Sequence, residues 1–380
     1  MMRILVLIYE YPPIGGGGGR VAQDICGQLA RRGHQVRVLT ARYGDLPAEE
    51  TQDGVEIRRM RCGRTQAHRA GLLAMAGYVL AALPGGLREI RRWRPHVLHV
   101  HFAVPTGAAA WLLSILTKVP YVLTVHLGDV PDGVPEKTAG WFRWVRPFTP
   151  PIWRRAARVV AVSEHTRSLA RRHYPVAIDL VPNGVDLQAL DPGEIRLNQP
   201  PVVMFAGRLV PQKNPLQIVR SLAAVADLPW QALLVGEGPL RPAVAEEIAR
   251  LGLGERVQLT GWIKPEQVID HYRRADLLFM PSFTEGLPVA GVQALAMGLA
   301  LVLSTAGGNV DLVQPGENGA LVPVEQPQGF AAALRDLLGD PQKLLAARQA
   351  SRRLAQRFDL TRVVDAYEAI FMESMSKNNP

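Results

Sequence analysis

The chain has 380 residues, which is more than one hydrophobic core usually holds, so we expect two domains. Apolar residues make up 48% and charged residues 20%, which is typical of a globular protein and excludes a disordered or fibrous one. The net charge of +9 favours an acidic ligand or an anionic membrane surface; we expect no nucleic-acid partner, because no binding motif accompanies the charge.

The N-terminal residues predict a strand and not an export signal. A short apolar run at residues 4–8 leads directly into Y-E-Y-P-P. Cys26 and Cys62 cannot form a disulfide framework, so the sequence fits a reducing cytosol. Two uncharged windows, 70–87 and 286–310, approach the length of a membrane span. Because Pro-Gly-Gly interrupts the first, and the second is typical of a helix followed by a strand, we expect no transmembrane helix.

A βαβ unit with a glycine-rich first loop opens the chain. The strand at 4–8 is followed by five consecutive glycines at 15–19 and by a helical pattern at 21–32, which Gly33 ends as a C-terminal cap. A dinucleotide fingerprint would need G-x-G-x-x-G and an acidic residue ending the second strand, but that strand ends at Thr40. An oxidoreductase is therefore disfavoured. The glycines either let a phosphate or a sugar approach the backbone or form a mobile surface loop.

Two later strands carry histidines toward their carboxyl ends. The sequence P-H-V-L-H-V-H at 95–101 alternates, so His99 and His101 share a face. His126 ends the strand that starts at Tyr121, at the end of a strand where open α/β sheets bind ligands; a buried core histidine is the other interpretation. No Cys, Asp or Glu partner converges on these histidines in the sequence, so we predict no metal site.

Two segments mix basic and apolar residues. Residues 141–155 interleave Trp and Phe with Arg, and residues 64–94 are basic around an apolar centre. Such mixtures suit an anionic membrane interface. They equally suit ordinary packing with solvated arginines, and the sequence leaves both interpretations open.

The second half of the chain repeats the strand–loop–helix pattern after a proline-rich linker at 188–201. A strand leads into G-R-L-V-P-Q-K, which contains Arg208 and Lys213. A later buried strand leads into P-S-F-T-E-G-L-P, where Glu285 lies on the loop and Pro288 opens a helix. The free N–H groups at that helix N-terminus can hold a phosphate or sugar oxygen. The alternative interpretation is an ordinary strand–loop–helix connection in which Glu285 is a surface residue without a functional role.

Taken in order, these segments resemble the retaining GT-B glycosyltransferases of family GT4, also called glycosyltransferase group 1. No single match decides the resemblance, but their order covers nearly the whole chain. The matching segments are the glycines at 15–19, P-H-V-L-H-V-H at 95–101, T-V-H-L-G-D at 124–129, V-P-N-G-V-D at 181–186, G-R-L-V-P-Q-K at 207–213, V-G-E-G-P at 235–239 and E-G-L-P at 285–288.

The resemblance implies an α/β protein with the GT-B fold, in which two Rossmann-like parallel-sheet domains face a cleft. We expect an acceptor-side domain at 1–187, with a C-terminal helix at about 361–376 packing back on it, and a nucleotide-sugar-binding domain at 200–360. The implied activity is retaining transfer of a hexose-type sugar from a nucleotide-diphosphate sugar to a lipid, glycan or small-molecule hydroxyl. No metal or other cofactor is implied. The implied setting is the cytoplasm, in cell-envelope or polysaccharide biosynthesis, with peripheral attachment to an anionic membrane left open.

The resemblance also implies residue roles. The diphosphate gains charge as the glycosidic bond breaks, and fixed cations stabilise that charge most in the transition state. The residues with implied catalytic roles are Glu285, His126, Arg208 and Lys213. Those implied to bind the donor are Gly16, Gly17, Arg208, Lys213, Gly236, Trp262, Ile263, Glu285, Gly286, Leu287 and Gln293. Those implied on the acceptor side are Gly18, Gly19, Arg20, His101 and Asp129.

One residue departs from the family pattern. The family has a second Glu that holds the ribose, and Gln293 stands at that position, eight residues after Glu285. Hydrogen bonds to charged groups are worth about 1.5–3 kcal/mol and neutral ones about 0.5–1.5, so we expect donor binding to weaken by about 1 kcal/mol. A catalytically inactive nucleotide-sugar-binding relative and a GT-B epimerase stay open as alternatives.

Overall fold

The chain folds into two compact α/β units. The computed structural model describes residues 1–66, 71–134, 140 and 142–376. One unit is Met1–Gly184 together with the chain from Leu360 onward, and the other is Val185–Asp359. Residues 188–201, predicted as a linker, belong to the second unit, where the Asn198 side-chain amide donates to the Asp276 carboxylate at 2.9 Å.

The apolar runs predicted as buried strands form two sheets. The strands are β1 (Arg3–Leu7), β2 (Gln35–Ala41), β3 (Glu49–Gln52), β4 (Val55–Met60), β5 (Val97–His101), β6 (Tyr121–Val125), β7 (Arg158–Ala161), β8 (Ile178–Leu180), β9 (Val202–Ala206), β10 (Gln231–Val235), β11 (Val257–Gly261), β12 (Leu277–Met280), β13 (Ala300–Ser304) and β14 (Gly319–Val322). Within the described residues, the first unit has an eight-stranded sheet in the order β3-β4-β2-β1-β5-β6-β7-β8, where only the β3–β4 pair is antiparallel. The second unit has a six-stranded parallel sheet in the order β11-β10-β9-β12-β13-β14, again counting only described residues.

Helices connect these strands in nearly every crossover, as parallel sheets require. The helices are α1 (Gly17–Arg31), α2 (Leu72–Trp93), α3 (Ala108–Thr117), α4 (Arg143–Val145), α5 (Pro150–Arg155), α6 (Glu164–His173), α7 (Pro215–Ala223), α8 (Arg241–Arg250), α9 (Pro265–Arg273), α10 (Val289–Ala296), α11 (Pro327–Leu338), α12 (Pro341–Leu354) and α13 (Leu360–Ser376). In the described ranges, no helix is both long and apolar enough to cross a bilayer.

Helix α1 begins earlier than the sequence predicted. It was expected from residue 21, but Gly17, Gly18 and Gly19 already form its first turn and Gly16 is the N-cap. Glycine is a poor helix former, yet the first turn of this helix comes so close to neighbouring groups that a Cβ at Gly19 would lie 2.5 Å from the Glu10 carbonyl oxygen. Tertiary packing therefore overrides propensity here.

The interruption predicted at Pro84 is wrong, because α2 runs through that residue without a break. A proline removes one internal hydrogen bond from a helix, and packing around it compensates. A Cβ at Gly86 would lie 2.5 Å from Leu113 Cδ1, so α2 and α3 are in close contact there. Nearly two turns before the proline, the buried Tyr78 hydroxyl donates to the Leu39 carbonyl oxygen at 3.1 Å.

Helix α13 completes the first unit from the far end of the chain. It packs on α1 and β6, and Arg32 donates to Glu368 at 2.8 Å. The rings of Tyr367 and Phe371 lie 4.8 and 5.1 Å from the ring of His99 in β5. The helix predicted at about 361–376 is therefore observed, packed over a strand that carries two of the buried histidines.

Candidate active site

Glu285 lies on the loop between β12 and α10, at the carboxyl end of a central strand of the second sheet. It is buried, with 5% of its surface exposed. Neighbouring backbone groups hold the loop in place. The Phe283 N–H donates to the Gln212 carbonyl oxygen at 2.8 Å, and the Gln212 side-chain amide donates to the Thr284 carbonyl oxygen at 2.8 Å. The loop after β9 therefore supports the residues that precede Glu285.

The loop after β9 also places Lys213 next to Glu285. Lys213 Nζ donates to Glu285 Oε1 at 2.5 Å, and the two side chains are only 17% and 6% exposed. They are 72 residues apart in sequence. They meet because β9 and β12 are adjacent parallel strands, with Leu277 in register with Val203. Since an unpaired charge is costly to bury, each side chain fixes the position of the other.

Two glycines form the other wall of the Glu285 loop. Gly307 and Gly308 follow β13, and the Gly308 N–H donates to the Glu285 carbonyl oxygen at 3.0 Å. A Cβ at Gly307 would lie 1.8 Å from that oxygen, and a Cβ at Gly308 would lie 1.7 Å from the Gly286 carbonyl oxygen. No side chain fits at either position, so glycine is required there to seat the carboxylate loop.

Arg208 is the other cation of the β9 loop. Its side chain is exposed and forms no hydrogen bond or ion pair within the described residues. The backbone of the loop is nonetheless fixed. A Cβ at Gly236 would lie 1.9 Å from the Gly207 carbonyl oxygen, and the Leu209 N–H donates to the Glu237 carbonyl oxygen at 2.9 Å. An exposed guanidinium on a fixed loop is available for an anionic ligand such as a diphosphate.

The remaining predicted donor residues follow other strands of the same sheet. Trp262, which is 66% exposed, and Ile263 follow β11, while Leu287, 5% exposed, follows β12. Gln293 lies half-buried on α10, and its side chain forms no hydrogen bond in the part of the chain that the structure describes. Because parallel strands end at one edge, the structure brings the residues after β9 to β13 to the ligand-binding edge of this sheet.

In the first unit, His126 follows β6 and presents one free ring nitrogen. The Asp129 N–H donates to the His126 carbonyl oxygen at 2.9 Å. The His126 Nε2 is buried and has no hydrogen-bond partner in the described structure. Burial lowers the pKa of His126 to about 4, so the ring is neutral near pH 7. A neutral imidazole has one donor and one acceptor nitrogen, so Nε2 can form a hydrogen bond with a ligand hydroxyl.

The first turn of α1 lies against His126. A Cβ at Gly18 would lie 2.7 Å from Phe102 Cζ and 3.3 Å from His126 Cε1. The Phe102 ring lies against His126 in a tilted arrangement, with centroids 4.5 Å apart and 31° between the ring planes. Gly16 and Gly17 are exposed, and a Cβ at Gly16 would meet nothing within 4 Å. Gly18 therefore lies beside the histidine. The exposed Arg20, predicted on the acceptor side, instead forms an ion pair with Asp24 on its own helix.

Asp129 and His101, predicted on the acceptor side, lie inside the unit. The Asp129 carboxylate is 3% exposed and accepts the backbone N–H groups of His126 at 2.9 Å and Ala103 at 2.8 Å. His101 is fully buried, with its ring 4.3 Å from His99 and 5.9 Å from His126. Burial is the main reason that the pKa of His101 lies well below its usual value, and the neighbouring His99 and His126 lower it further. Both residues therefore support His126 from behind and do not line an open surface.

The buried histidines contact each other and the neighbouring strand. The His99 ring shares a hydrogen bond with the Thr124 hydroxyl at 3.0 Å, and burial lowers its pKa to about 3. Among the residues that the structure describes, no group of three or more His, Cys, Asp or Glu side chains is placed to hold a metal ion.

Two family models match this chain in consecutive stretches. The model described as "Glycosyltransferase Family 4" matches residues 15–189, and the model described as "Glycosyl transferases group 1" matches residues 200–340. The first stretch contains His126, and the second contains Arg208, Lys213 and Glu285. The chain belongs to the group 1 glycosyltransferases of family 4.

Relatives of this glycosyltransferase align along nearly its whole length. A "D-inositol 3-phosphate glycosyltransferase" from Rhodococcus jostii is 28% identical over 93% of this chain and 84% of the relative. A "2-deoxystreptamine glucosyltransferase" from Streptomyces kanamyceticus is 29% identical over 87% of this chain and 92% of the relative. The chain is thus an enzyme of the glycosyltransferase class that uses nucleotide sugars.

Solved structures show that this glycosyltransferase has the GT-B fold. The sucrose-phosphate synthase of Thermosynechococcus elongatus superposes with a TM-score of 0.86 at 22% identity, covering 99% of this chain and all of that one. Anabaena HepE, solved in complex with UDP and glucose, superposes with a TM-score of 0.76 at 20% identity, covering 97% of this chain and 99% of that one. The predicted fold class is confirmed.

Sequence reasoning missed three residues that shape the glycosyltransferase site. Phe102, against His126, has φ of +73°, an unusual conformation for a bulky residue that tends to occur at functional sites. Nothing in the sequence marks it. Gly307 and Gly308 carried a usable signal, because two consecutive glycines directly after a buried strand indicate close backbone approach.

Proposed function

We propose that this glycosyltransferase moves a hexose from a nucleoside diphosphate sugar to a hydroxyl group, with retention at the anomeric carbon and without a metal ion. The observation that carries the proposal is the largely buried Lys213–Glu285 pair, with 2.5 Å between Nζ and Oε1, whose lysine lies on the same loop as the exposed Arg208. Two cations and one carboxylate at one sheet edge suit a donor that combines an anionic diphosphate with a polyhydroxyl sugar.

The cations act on the leaving group in this mechanism. The bond between the anomeric carbon and the diphosphate oxygen breaks, and Arg208 and Lys213 stabilise the negative charge that this oxygen gains. A bond to the acceptor oxygen forms on the same face of the sugar, and the acceptor proton moves to the departing phosphate oxygen. The Glu285 carboxylate accepts hydrogen bonds from sugar hydroxyls. The two cations supply the charge that a metal ion would otherwise supply.

UDP-glucose is the donor to test first, since UDP and glucose are the ligands named with Anabaena HepE. We assign ribose binding to Gln293 and base contacts to the backbone around Trp262 and Ile263. His126, through Nε2, is assigned a hydrogen bond with a ligand hydroxyl in the first unit.

The acceptor belongs to a lipid, a glycan or a small molecule. Two relatives are named for cyclitols, D-inositol 3-phosphate and 2-deoxystreptamine, which makes cyclitols the first small molecules to test. A lipid or glycan acceptor would place the enzyme in cell-envelope or polysaccharide biosynthesis, in the cytoplasm and peripheral on the inner face of the membrane.

The test begins with thermal shifts of the full chain against UDP-, GDP- and ADP-sugars. Transfer with the stabilising donor is then measured against cyclitols and lipid extracts, and the anomeric proton coupling of the product reports retention. Lys213→Met and Arg208→Ser should each lower the rate of transfer about 10²–10³-fold, whereas the matched control Lys343→Met, which breaks the exposed Lys343–Asp336 pair, should leave it unchanged. Donor epimerisation without an acceptor, or donor binding without transfer or hydrolysis, would instead support an epimerase or an inactive relative.

A further inference from the structure

Exposed apolar side chains concentrate on three neighbouring parts of the first unit. We propose that the surface formed by residues 72–93, 108–118 and 142–155, here called the apolar–basic face, binds an anionic phospholipid bilayer. It carries seven of the thirteen large hydrophobic residues that are exposed in the described chain. These are Leu72, Leu73, Leu80, Ile115, Leu116, Trp144 and Phe148. Trp141, from the same aromatic segment of the sequence, lies outside the described residues.

The three parts form a continuous surface. Helix α2 packs on α3, and α3 packs on α5, where the Arg155 guanidinium donates to the Ser114 carbonyl oxygen at 3.1 Å. These helices follow strands that cross over in the same direction along the sheet, so right-handed connections place them on one side of it. Helices α1 and α13 pack against each other instead.

The face has a single sign of charge. Its only acidic residue among the described positions is Glu89, which is 3% exposed and binds Arg37 at 3.1 Å and also Arg58. Exposed basic residues surround the apolar side chains, and none of the arginines among them forms an ion pair within the described structure. These arginines are Arg88, Arg91, Arg92, Arg143, Arg146 and Arg154.

Several arginines elsewhere in the protein form ion pairs with carboxylates. Arg32, Arg158 and Arg335 each bind carboxylates at 2.6 to 2.8 Å. On the apolar–basic face the arginines pair with no carboxylate of the described residues, so we take their charge as available to an external anion. A layer of lipid phosphates offers many anions at once, and it would take up the intervening apolar side chains.

The aromatic residues support a bilayer as the occupant. Trp144 and Phe148 are 69% and 75% exposed. The Arg143 guanidinium lies over the Trp144 ring, 5.1 Å from its centroid, within the roughly 6 Å of a cation–π pair. Tryptophan beside arginine is the pairing enriched at membrane–water interfaces. With no membrane-spanning helix in the described residues, the contact would be peripheral. The inference rests on the peripheral membrane setting of the proposed function and deepens it, because it names the surface that makes the contact and the lipid charge that this surface requires.

The experiment is vesicle flotation of the full chain at low salt, with phosphatidylcholine vesicles alone or containing phosphatidylglycerol. We expect binding only to the anionic vesicles and its loss at high salt. Arg143→Ser/Arg146→Ser/Arg154→Ser should weaken binding roughly a hundredfold, at about fivefold per arginine. Trp144→Ser/Phe148→Ser should weaken it by at least about tenfold.

Matched controls use the same residue types away from the face. Met372→Ser and Arg362→Ser change exposed residues of α13, of which Met372 is 55% exposed; both should bind vesicles like the parent chain. Unchanged circular dichroism and unfolding midpoints would show that all variants are folded. Lys213→Met should lose transfer but keep vesicle binding, so the two proposals fail separately.

Three results would overturn the inference. One is absence of binding to phosphatidylglycerol vesicles at low salt. Another is equal loss of binding in the face variants and the controls. The third is concentration-dependent self-association without lipid that the face variants abolish, which would assign the face to a second copy of the chain.

Discussion

Replacing Lys213 by Met should lower both the stability of the second unit and the rate of transfer. The substitution keeps most of the side-chain volume but leaves the Glu285 carboxylate, 6% exposed, without its ionic partner. Removing one partner of a buried pair costs about 3–5 kcal/mol. Since the Lys213 side chain is 17% exposed, we take the lower end, about 3 kcal/mol.

This loss has a measurable size. A unit of the length of Val185–Asp359 shifts its unfolding midpoint by about 2–4 °C per kcal/mol, so Lys213→Met should lower the midpoint by about 6–12 °C. Lys343→Met breaks a pair of similar length, 2.6 Å, whose side chains are 42% and 57% exposed. That control should cost less than about 1 kcal/mol. Lys213→Met/Glu285→Gln should recover part of the loss, because no buried charge is left unpaired.

Differential scanning fluorimetry measures the midpoints, and transfer from the identified donor measures kcat. By analogy with the removal of one fixed donor to a developing anion, kcat should fall about 10²–10³-fold in Lys213→Met. Equal midpoint shifts in Lys213→Met and Lys343→Met would refute the reasoning, because burial would then not decide the cost. A kcat in Lys213→Met within a few-fold of the parent value would refute the assigned role in charge stabilisation.

Three further outcomes are expected. Gln293→Glu should lower the donor KM by up to about tenfold and leave kcat within a few-fold; a hundredfold change in kcat in steady-state assays would contradict ribose binding. Gly18→Ala should reduce transfer by displacing the rings of Phe102 and His126, while Gly16→Ala, whose Cβ meets nothing, should not; equal rates would dismiss the contact. Because the pKa of His126 is lowered to about 4, the folded state binds fewer protons than the unfolded state, so stability should fall as pH drops from about 6.5 to 4; denaturant titrations should show a shallower fall in His126→Gln.

Local pattern was enough to predict most strands and the loops that follow them. The apolar runs that became β9 and β12 were predicted with their loops, and so were Lys213 and Glu285. Their 2.5 Å contact was not predictable from pattern, because it depends on which strands are neighbours. The family resemblance suggested a shared role for the two residues, but only the observed strand order brings them together.

The sequence-based predictions that failed share one physical cause. The first turn of α1 and the passage of α2 through Pro84 both oppose local propensity, and contacts with distant residues stabilise them. Phe102 likewise adopts a positive φ that its own side chain disfavours. Windows of ten to twenty residues contain no information about such distant contacts, so reasoning from sequence places these elements incorrectly or omits them.

The first unit is built from two segments of the chain that are separated by the whole second unit, and this affects how the protein is synthesised. The ribosome releases β1 to β8 long before it releases α13, with the whole of Val185–Asp359 made in between. Until α13 emerges, His99 lacks the rings of Tyr367 and Phe371, and the Thr124 hydroxyl lacks its 3.0 Å contact with Tyr367. The nascent chain must therefore keep a partly uncovered sheet from aggregating while the inserted unit is synthesised and folds first.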